Sequence, residues 1–284
     1  MNNIQDFITN SQMFRTFKVD DLLFVEFKCP IEESSDNIWC NNNFFAFILT
    51  GETLLKTPGS EYPLTSGDCV FARKGSILIE SEPQENFCEL LVFVPDDFIR
   101  SVIHKYRISL VPETSATQYD PIFPFGHDAL LKAYFESLLS YFNQPEPPVG
   151  ALLKLKLEEL ILNILSNNKY LPLQCYFSAL SKSTKSSIAE VMQDNFMHNL
   201  SIPEFARLCA RSLSAYKREF YSLYQTTPGK WLLEKRLEYS RYLLETTSKS
   251  LDDIYLASGF ENKSHFTRAF KNKYGRTPGK FKVN

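Results

Sequence analysis

The chain has 284 residues, 44% hydrophobic and 23% charged, a balance that excludes wholesale disorder and gives length enough for two cores. No run of 18 apolar residues occurs, so no membrane span is expected, and MNNIQDFITN lacks the basic-then-apolar order of a secretory leader. The net charge of −2 is unevenly divided: residues 185–284 hold 17 Lys and Arg against 10 Asp and Glu, so the front is acidic and the back basic, which suggests two jobs, the basic one facing a polyanion, with chance segregation as the alternative.

Between about Leu22 and Val94 the chain runs in short apolar stretches, LLFVEFKC, FFAFILTG, GETLLK, GDCVFAR, SILIE and FCELLVFV, separated by Gly, Pro, Asn and Ser. Strand-length runs with turn signals at this spacing predict an antiparallel two-sheet barrel, a cupin-like jelly roll. Within TSGDCVFARKGS, turns are expected at Gly67-Asp68 and Lys74-Gly75 around a buried strand. Barrels of this kind that act as metalloenzymes use imidazole ligands, and no histidine lies between residues 1 and 103. His104, His127, His198 and His265 are far apart, and Cys29, Cys40, Cys69, Cys88, Cys175 and Cys209 show no CxxC spacing. No metal and no cofactor are therefore expected, no nucleophile–base pairing marks an enzyme, and the cysteines read as reduced thiols of a cytoplasmic protein.

After Pro95 the period becomes helical, with helices expected at Asp96–Lys105, Asp128–Phe142 and Ala151–Asn167. In ALLKLKLEELILNILSN, Leu153, Leu157, Leu160, Ile161 and Ile164 share one face, widened by Leu152, Leu155 and Leu165. So wide a face fits a well-buried helix or a dimerisation helix; the second reading is preferred, which predicts a homodimer through those five residues. Domain 1–167 is thus expected to sense and dimerise, and the Ser-, Lys- and Asn-rich stretch 168–185 to be a linker.

The back half, 186–284, contains an internal repeat at an offset of 50: Arg218 with Arg268, Phe220 with Phe270, Tyr224 with Tyr274, and Thr227-Pro228-Gly229-Lys230 with Thr277-Pro278-Gly279-Lys280. Each copy, about 201–224 and 250–274, reads as helix, turn, helix. Ser201 caps SIPEFARL, Gly259 turns the second copy, and one longer helix over Pro228–Glu245 joins them. At 100° per residue, Leu213, Tyr216, Phe220, Phe266 and Phe270 point inward. Ser214, Lys217, Arg218 and Tyr221 point outward in the first copy, and Ser264, Thr267, Arg268 and Lys271 in the second. Arg and Lys bridge guanine or neutralise phosphate, Ser and Thr reach either, and two such helices on one rigid connector fit successive major grooves roughly 34 Å apart. The residues alone leave two alternatives open, a protein-interaction adaptor that no longer binds DNA and a ligand-binding barrel with an accessory helical domain.

Residues 186–284 resemble the C-terminal DNA-binding domain of AraC/XylS-type transcription regulators. The most specific stretch is IYLASGFENKSHFTRAFKNKYGRTP, Ile254 to Pro278; the first copy departs at Ala210, Arg211 and Gln225, where Gly, a Leu-like residue and Gly are usual. The resemblance implies base contacts from Ser214, Lys217 and Arg218 and from Lys263, Ser264, Thr267 and Arg268. Asn262 is a phosphate candidate through its side chain and the helix N-terminus. It also implies promoter DNA and RNA polymerase as partners. The front half, through GDCVFARKGS and LKLEELILNIL, is similar to the activators of type III secretion genes, whose N-terminal domain dimerises and receives a protein antagonist; elsewhere in the family the barrel binds a small effector. The expected architecture is α+β in two domains, a cupin-like jelly roll with dimerisation helices followed by an all-α double helix-turn-helix.

Overall fold

The computed structural model describes residues 2–11, 14–31, 34–57, 60–81, 84–108, 119–182, 187–247 and 249–282. The chain divides into two compact units, Met1–Thr184 and Lys185–Asn284.

The N-terminal unit begins with β1 (Asn2–Asn3), α1 (Ile4–Asn10), β2 (Arg15–Val19), β3 (Leu22–Ile31) and β4 (Ser34–Cys40). It continues with β5 (Asn43–Thr50), β6 (Glu52–Thr57), β7 (Ser60–Thr65), β8 (Asp68–Ala72), β9 (Gly75–Ser81) and β10 (Gln84–Val94). Then come α2 (Asp96–Lys105), β11 (Ile122–His127), α3 (Ala129–Phe142), α4 (Gly150–Leu165), a 3-10 turn (Asn168–Tyr170) and α5 (Leu171–Lys182). The strands form two sheets, β1-β4-β9-β6-β7 and β11-β8-β5-β10-β3-β2, antiparallel except for the short β1–β4 pair. The two turns expected in TSGDCVFARKGS lie where the sequence places them, with Gly67 at φ 94° before β8 and Gly75 opening β9.

The six-stranded sheet is covered on both faces, which explains why Phe44–Leu49 of β5 and Leu90–Val94 of β10 are continuous apolar runs instead of alternating. Phe44, Ala46, Ile48, Leu91 and Phe93 face the other sheet, whereas Phe45, Phe47, Leu90, Val92 and Val94 face the helices. A buried polar knot pins the helices to the sheet: Lys74 Nζ meets Asp96 Oδ2 at 2.6 Å, and Asn43 donates to Asp96 Oδ1 at 2.8 Å. The Tyr176 hydroxyl donates to Asn43 Oδ1 at 3.2 Å, and the Arg73 guanidinium lies 4.9 Å from the Tyr176 ring centroid. The ARK of the GDCVFARKGS motif thus fastens α2 and α5 to the sheet.

Two expectations are corrected here. Leu153, Leu157, Leu160, Ile161 and Ile164 are 0–1% exposed and belong to the core of their own unit, because α4 packs against α2, α3, α5 and β2. The wide apolar face is consumed inside the unit, so these five side chains offer no dimer surface; of the residues that widened it, Leu155 stays outside. The expected linker 168–185 is also largely structured. Its Ser and Lys residues are interspersed with an apolar stripe, Leu173, Tyr176 and Phe177, which buries α5 in the same core.

The described cysteines Cys40, Cys69, Cys88, Cys175 and Cys209 are buried thiols outside any disulfide, and burial pushes Cys40 up to about 12 and Cys88 up to about 11. Among the described residues no helix is long and apolar enough to cross a membrane.

The C-terminal unit is helical: α6 (Ile188–Asn195), α7 (Ile202–Leu208), α8 (Leu213–Tyr224), α9 (Pro228–Thr246), α10 (Leu251–Ala257), α11 (Lys263–Tyr274) and α12 (Pro278–Phe281).

Candidate nucleic-acid interface

The two halves of the C-terminal unit are built by the same local rules. Ser201 and Ser250 open α7 and α10 with reciprocal caps: Ser201 N–H donates to Glu204 at 2.6 Å and Ser250 N–H to Asp253 at 3.1 Å. Both helices end in the same left-handed turn. Ala210 N–H donates to Arg207 O at 2.8 Å and Arg211 N–H to Ala206 O at 3.0 Å; Gly259 and Phe260 repeat the pattern on Leu256 and Tyr255 at 2.9 and 3.0 Å. The residue after the turn differs. Phe260 is buried, while Arg211 folds back onto Cys209 O and Glu219 Oε2, both at 2.6 Å.

The departures from the family pattern therefore leave the backbone path unchanged. Ala210 sits at φ 53° and Gln225 at φ 52°, in the region that Gly259 (79°) and Gly275 (74°) occupy in the second copy. A side chain with Cβ is strained there. Ala210→Gly and Gln225→Gly are each expected to stabilise this unit by about 1 kcal/mol. The measurement is the urea midpoint, and a fall in it would show that these side chains contribute more than the strain costs.

Repeated TPGK elements close both second helices. Pro228 and Pro278 are buried at the starts of α9 and α12, and the aromatic that follows completes a trio. Trp231 lies 6.2 Å from Phe220 and 5.5 Å from Tyr224; Phe281 lies 5.5 Å from Phe270 and 6.1 Å from Tyr274. These trios, with buried Tyr216 and Phe266, hold one face of α8 and α11 down and leave the other outside.

On that outer face Ser214, Lys217, Arg218 and Tyr221 of α8 are exposed, as are Asn262, Lys263, Ser264, Arg268 and Lys271 at α11. Two positions differ from expectation. Leu213, read as inward, is 38% exposed because it starts α8 ahead of the packed turn, and Thr267 is half-buried at the margin of the face. The expected phosphate contact at Asn262 is changed in kind: its Oδ1 accepts from Ser264 N–H at 2.8 Å and His265 N–H at 3.0 Å, so those amides are already taken. What Asn262 can still offer is its side-chain NH₂.

The charges on the face divide into paired and unpaired. Lys263 pairs with Asp252 at 2.6 Å, and Lys273 turns back to Glu234 and Glu238 of α9. Lys217, Arg218, Arg268 and Lys271 have no acidic partner among the described residues. Two unpaired cations thus project from each second helix, in each case beside a serine hydroxyl.

The sequence reading missed the groups that join the two halves. Arg236, on α9, reaches into the segment between α6 and α7, where Nε donates to Phe196 O and Nη2 to His198 O, both at 2.7 Å. Its signal was available: an arginine on the inner stripe of α9, beside Leu232, Leu233 and Leu237. His198 beside it is buried, and burial together with the Arg236 charge lowers its pKa from 6.5 to about 4. Unfolding lets His198 take up a proton anywhere between those values, so stability is fully present above pH 6.5 and is lost as pH falls toward 4. The shift corresponds to about 3 kcal/mol. His198→Gln is expected to flatten the dependence of the urea midpoint on pH across this window; identical slopes in both proteins would remove His198 as the cause.

Comparison with known proteins matches both halves of the sequence to known domains. Residues 43–176 match the ExsA N-terminal regulatory domain, and residues 205–283 match a helix-turn-helix domain. The chain is 24% identical over 270 residues to the thermoregulatory protein LcrF of Yersinia pestis, covering 93% of this chain and 96% of that one. It is 24% identical over 236 residues to the HTH-type transcriptional regulator ExsA of Pseudomonas aeruginosa, covering 82% and 83%. The chain belongs to the AraC/XylS family of transcription regulators. A crystal structure of ToxT from Vibrio cholerae aligns over 94% of this chain and 98% of that one, at 14% identity and a TM-score of 0.46. The stretch Ile254 to Pro278 of this chain spans α10, the Gly259 turn and α11, the half with glycine at both left-handed positions.

Proposed function

We propose that this AraC-type regulator binds promoter DNA with α8 and α11 in two successive major grooves and activates transcription in the cytoplasm under control of its N-terminal unit. One observation carries the reading. The same helix-turn-helix occurs twice, and each copy aims two unpaired cations and a serine outward from an otherwise packed helix. Lys217, Lys271 and the guanidinium groups supply phosphate neutralisation, which makes affinity fall with salt; Arg218 and Arg268 supply bidentate contacts to guanine. Ser214, Ser264, Thr267, Tyr221 and Lys263 border these positions and complete the face. Activation is favoured by the relatives, one of which is a virulence regulon transcriptional activator of Yersinia enterocolitica. RNA polymerase, a second copy of the chain, and a protein antagonist or small effector at the N-terminal unit are the partners this reading adds.

The test is selection of fragmented genomic DNA with the full-length protein, followed by Arg268→Ala on the recovered site. The variant is expected to lose about 1–3 kcal/mol on that site and little on random duplex. Equal losses on both would remove Arg268 from base reading, and no enrichment at low salt by folded protein would favour the adaptor.

A further inference from the structure

The segment that enters α7 in the first helix-turn-helix and the turn that enters α11 in the second are bound to each other. Residues 196–200 are held from three sides. Arg236 takes the carbonyls of Phe196 and His198, and the Phe196 ring meets Tyr239 of α9 edge-on at 5.7 Å. Gly259 lies so close that a Cβ there would stand 2.5 Å from Met197 O and 3.0 Å from Arg236 Nε. The Asn199 side chain donates to the Glu261 carboxylate, one residue before the cap of α11. Between these walls runs a groove of about 740 Å³, bordered by Ser201 on one side and by Ser264 and Arg268 on the other.

A connecting helix by itself sets the distance between two readers and leaves their relative angle soft. Here a charge-assisted clasp from the middle of that helix removes the softness. A guanidinium bonded to two carbonyls in a half-buried site is costly to open, since both acceptors would lose their partner. We propose that Arg236 is a positioning residue: with Asn199 and Gly259 it locks the two recognition helices into one rigid reader and so sets the spacing between the DNA elements this protein accepts. The proposal rests on the reading that α8 and α11 engage DNA together.

The experiment uses full-length protein on the selected site and on the same site with one base pair inserted or removed between its two elements. One base pair turns the second element by about a tenth of a helical turn, out of reach of a rigid reader. Wild type is expected to lose on the order of 30-fold on either shifted site, comparable to a mismatch. Arg236→Lys, which can reach only one of the two carbonyls, and Asn199→Ala, a change on the exposed side of the clasp, are expected to lose about tenfold less than wild type on shifted sites. Substitutions within either single element should cost the variants what they cost wild type, which a merely unstable protein would not show. Equal spacing penalties in wild type and in Asn199→Ala, confirmed in Arg236→Lys if it melts cooperatively, would overturn the lock. A wild type indifferent to spacing but sensitive to one element alone would instead overturn the two-groove reading beneath it.

Discussion

Leu157→Asp combined with Leu160→Asp is expected to unfold the N-terminal unit. Both leucines are fully buried where α4 meets α2, α3, α5 and β2. Truncating one such leucine costs about 2–5 kcal/mol, and a carboxylate in its place adds the desolvation of a charge with no cation provided for it. Two such changes exceed the roughly 5–15 kcal/mol that holds a domain together. The expected signs are loss of the near-UV circular dichroism of the aromatic-rich core and rapid proteolysis within residues 1–184. A folded double variant whose sedimenting mass is halved would return these residues to a dimer interface and overturn the packing described above.

Gly259→Ala is expected to be the most damaging single-methyl change in the C-terminal unit. The position has φ 79°, which alanine adopts only with strain, and the new Cβ would press on a backbone oxygen, which cannot swing aside as a side chain can. The two effects together correspond to about 3 kcal/mol, a fall of roughly 10–20 °C in the melting temperature of a unit this size. DNA affinity should fall with it, since Met197 and Arg236 would have to move and α11 starts four residues on. A melting temperature within a few degrees of wild type would mean that the turn relaxes freely and that Gly259 is there by chance. At Ala210 a Cβ is already present at φ 53°. The two turns share a hydrogen-bond pattern but only the second is packed against another part of the unit by its glycine.

These contrasts show what kind of feature could be read in advance. Ser201, read from the sequence as the cap of α7, stands there with Glu204 bonded back to its N–H, and by the same local rule the side chains of Ser250, Asn262 and Thr227 accept from backbone amides at the starts of α10, α11 and α9. The inward set Tyr216, Phe220, Phe266 and Phe270 is buried because a 3.6-residue period needs no knowledge of the partner surface. Leu213 failed the same rule because it stands at a helix end, where the period has only one side to act on. The exposed cations could be placed on a face, but which of them are free could not: Lys263 and Lys273 are taken by Asp252, Glu234 and Glu238 from other helices.

The local and repeating parts of this protein are legible in the chain alone: strand-length runs, the capped helices, the turn glycines and the duplicated reading faces, all set by interactions within a few residues. The chain also carried the family signature. How the apolar faces are used depends on packing between distant elements. A wide face such as that of α4 looks the same whether a second copy or its own domain covers it, and here α2, α3, α5 and β2 cover it. The Ser and Lys residues and the proline likewise made 168–185 look like a linker, although apolar residues are nearly as numerous there and three of them on one stripe determine the burial. The clasp of Arg236 on Phe196 and His198 lay furthest from view. Its members are about 40 residues apart, and a guanidinium meets two carbonyls there because packing brings a loop and a helix together.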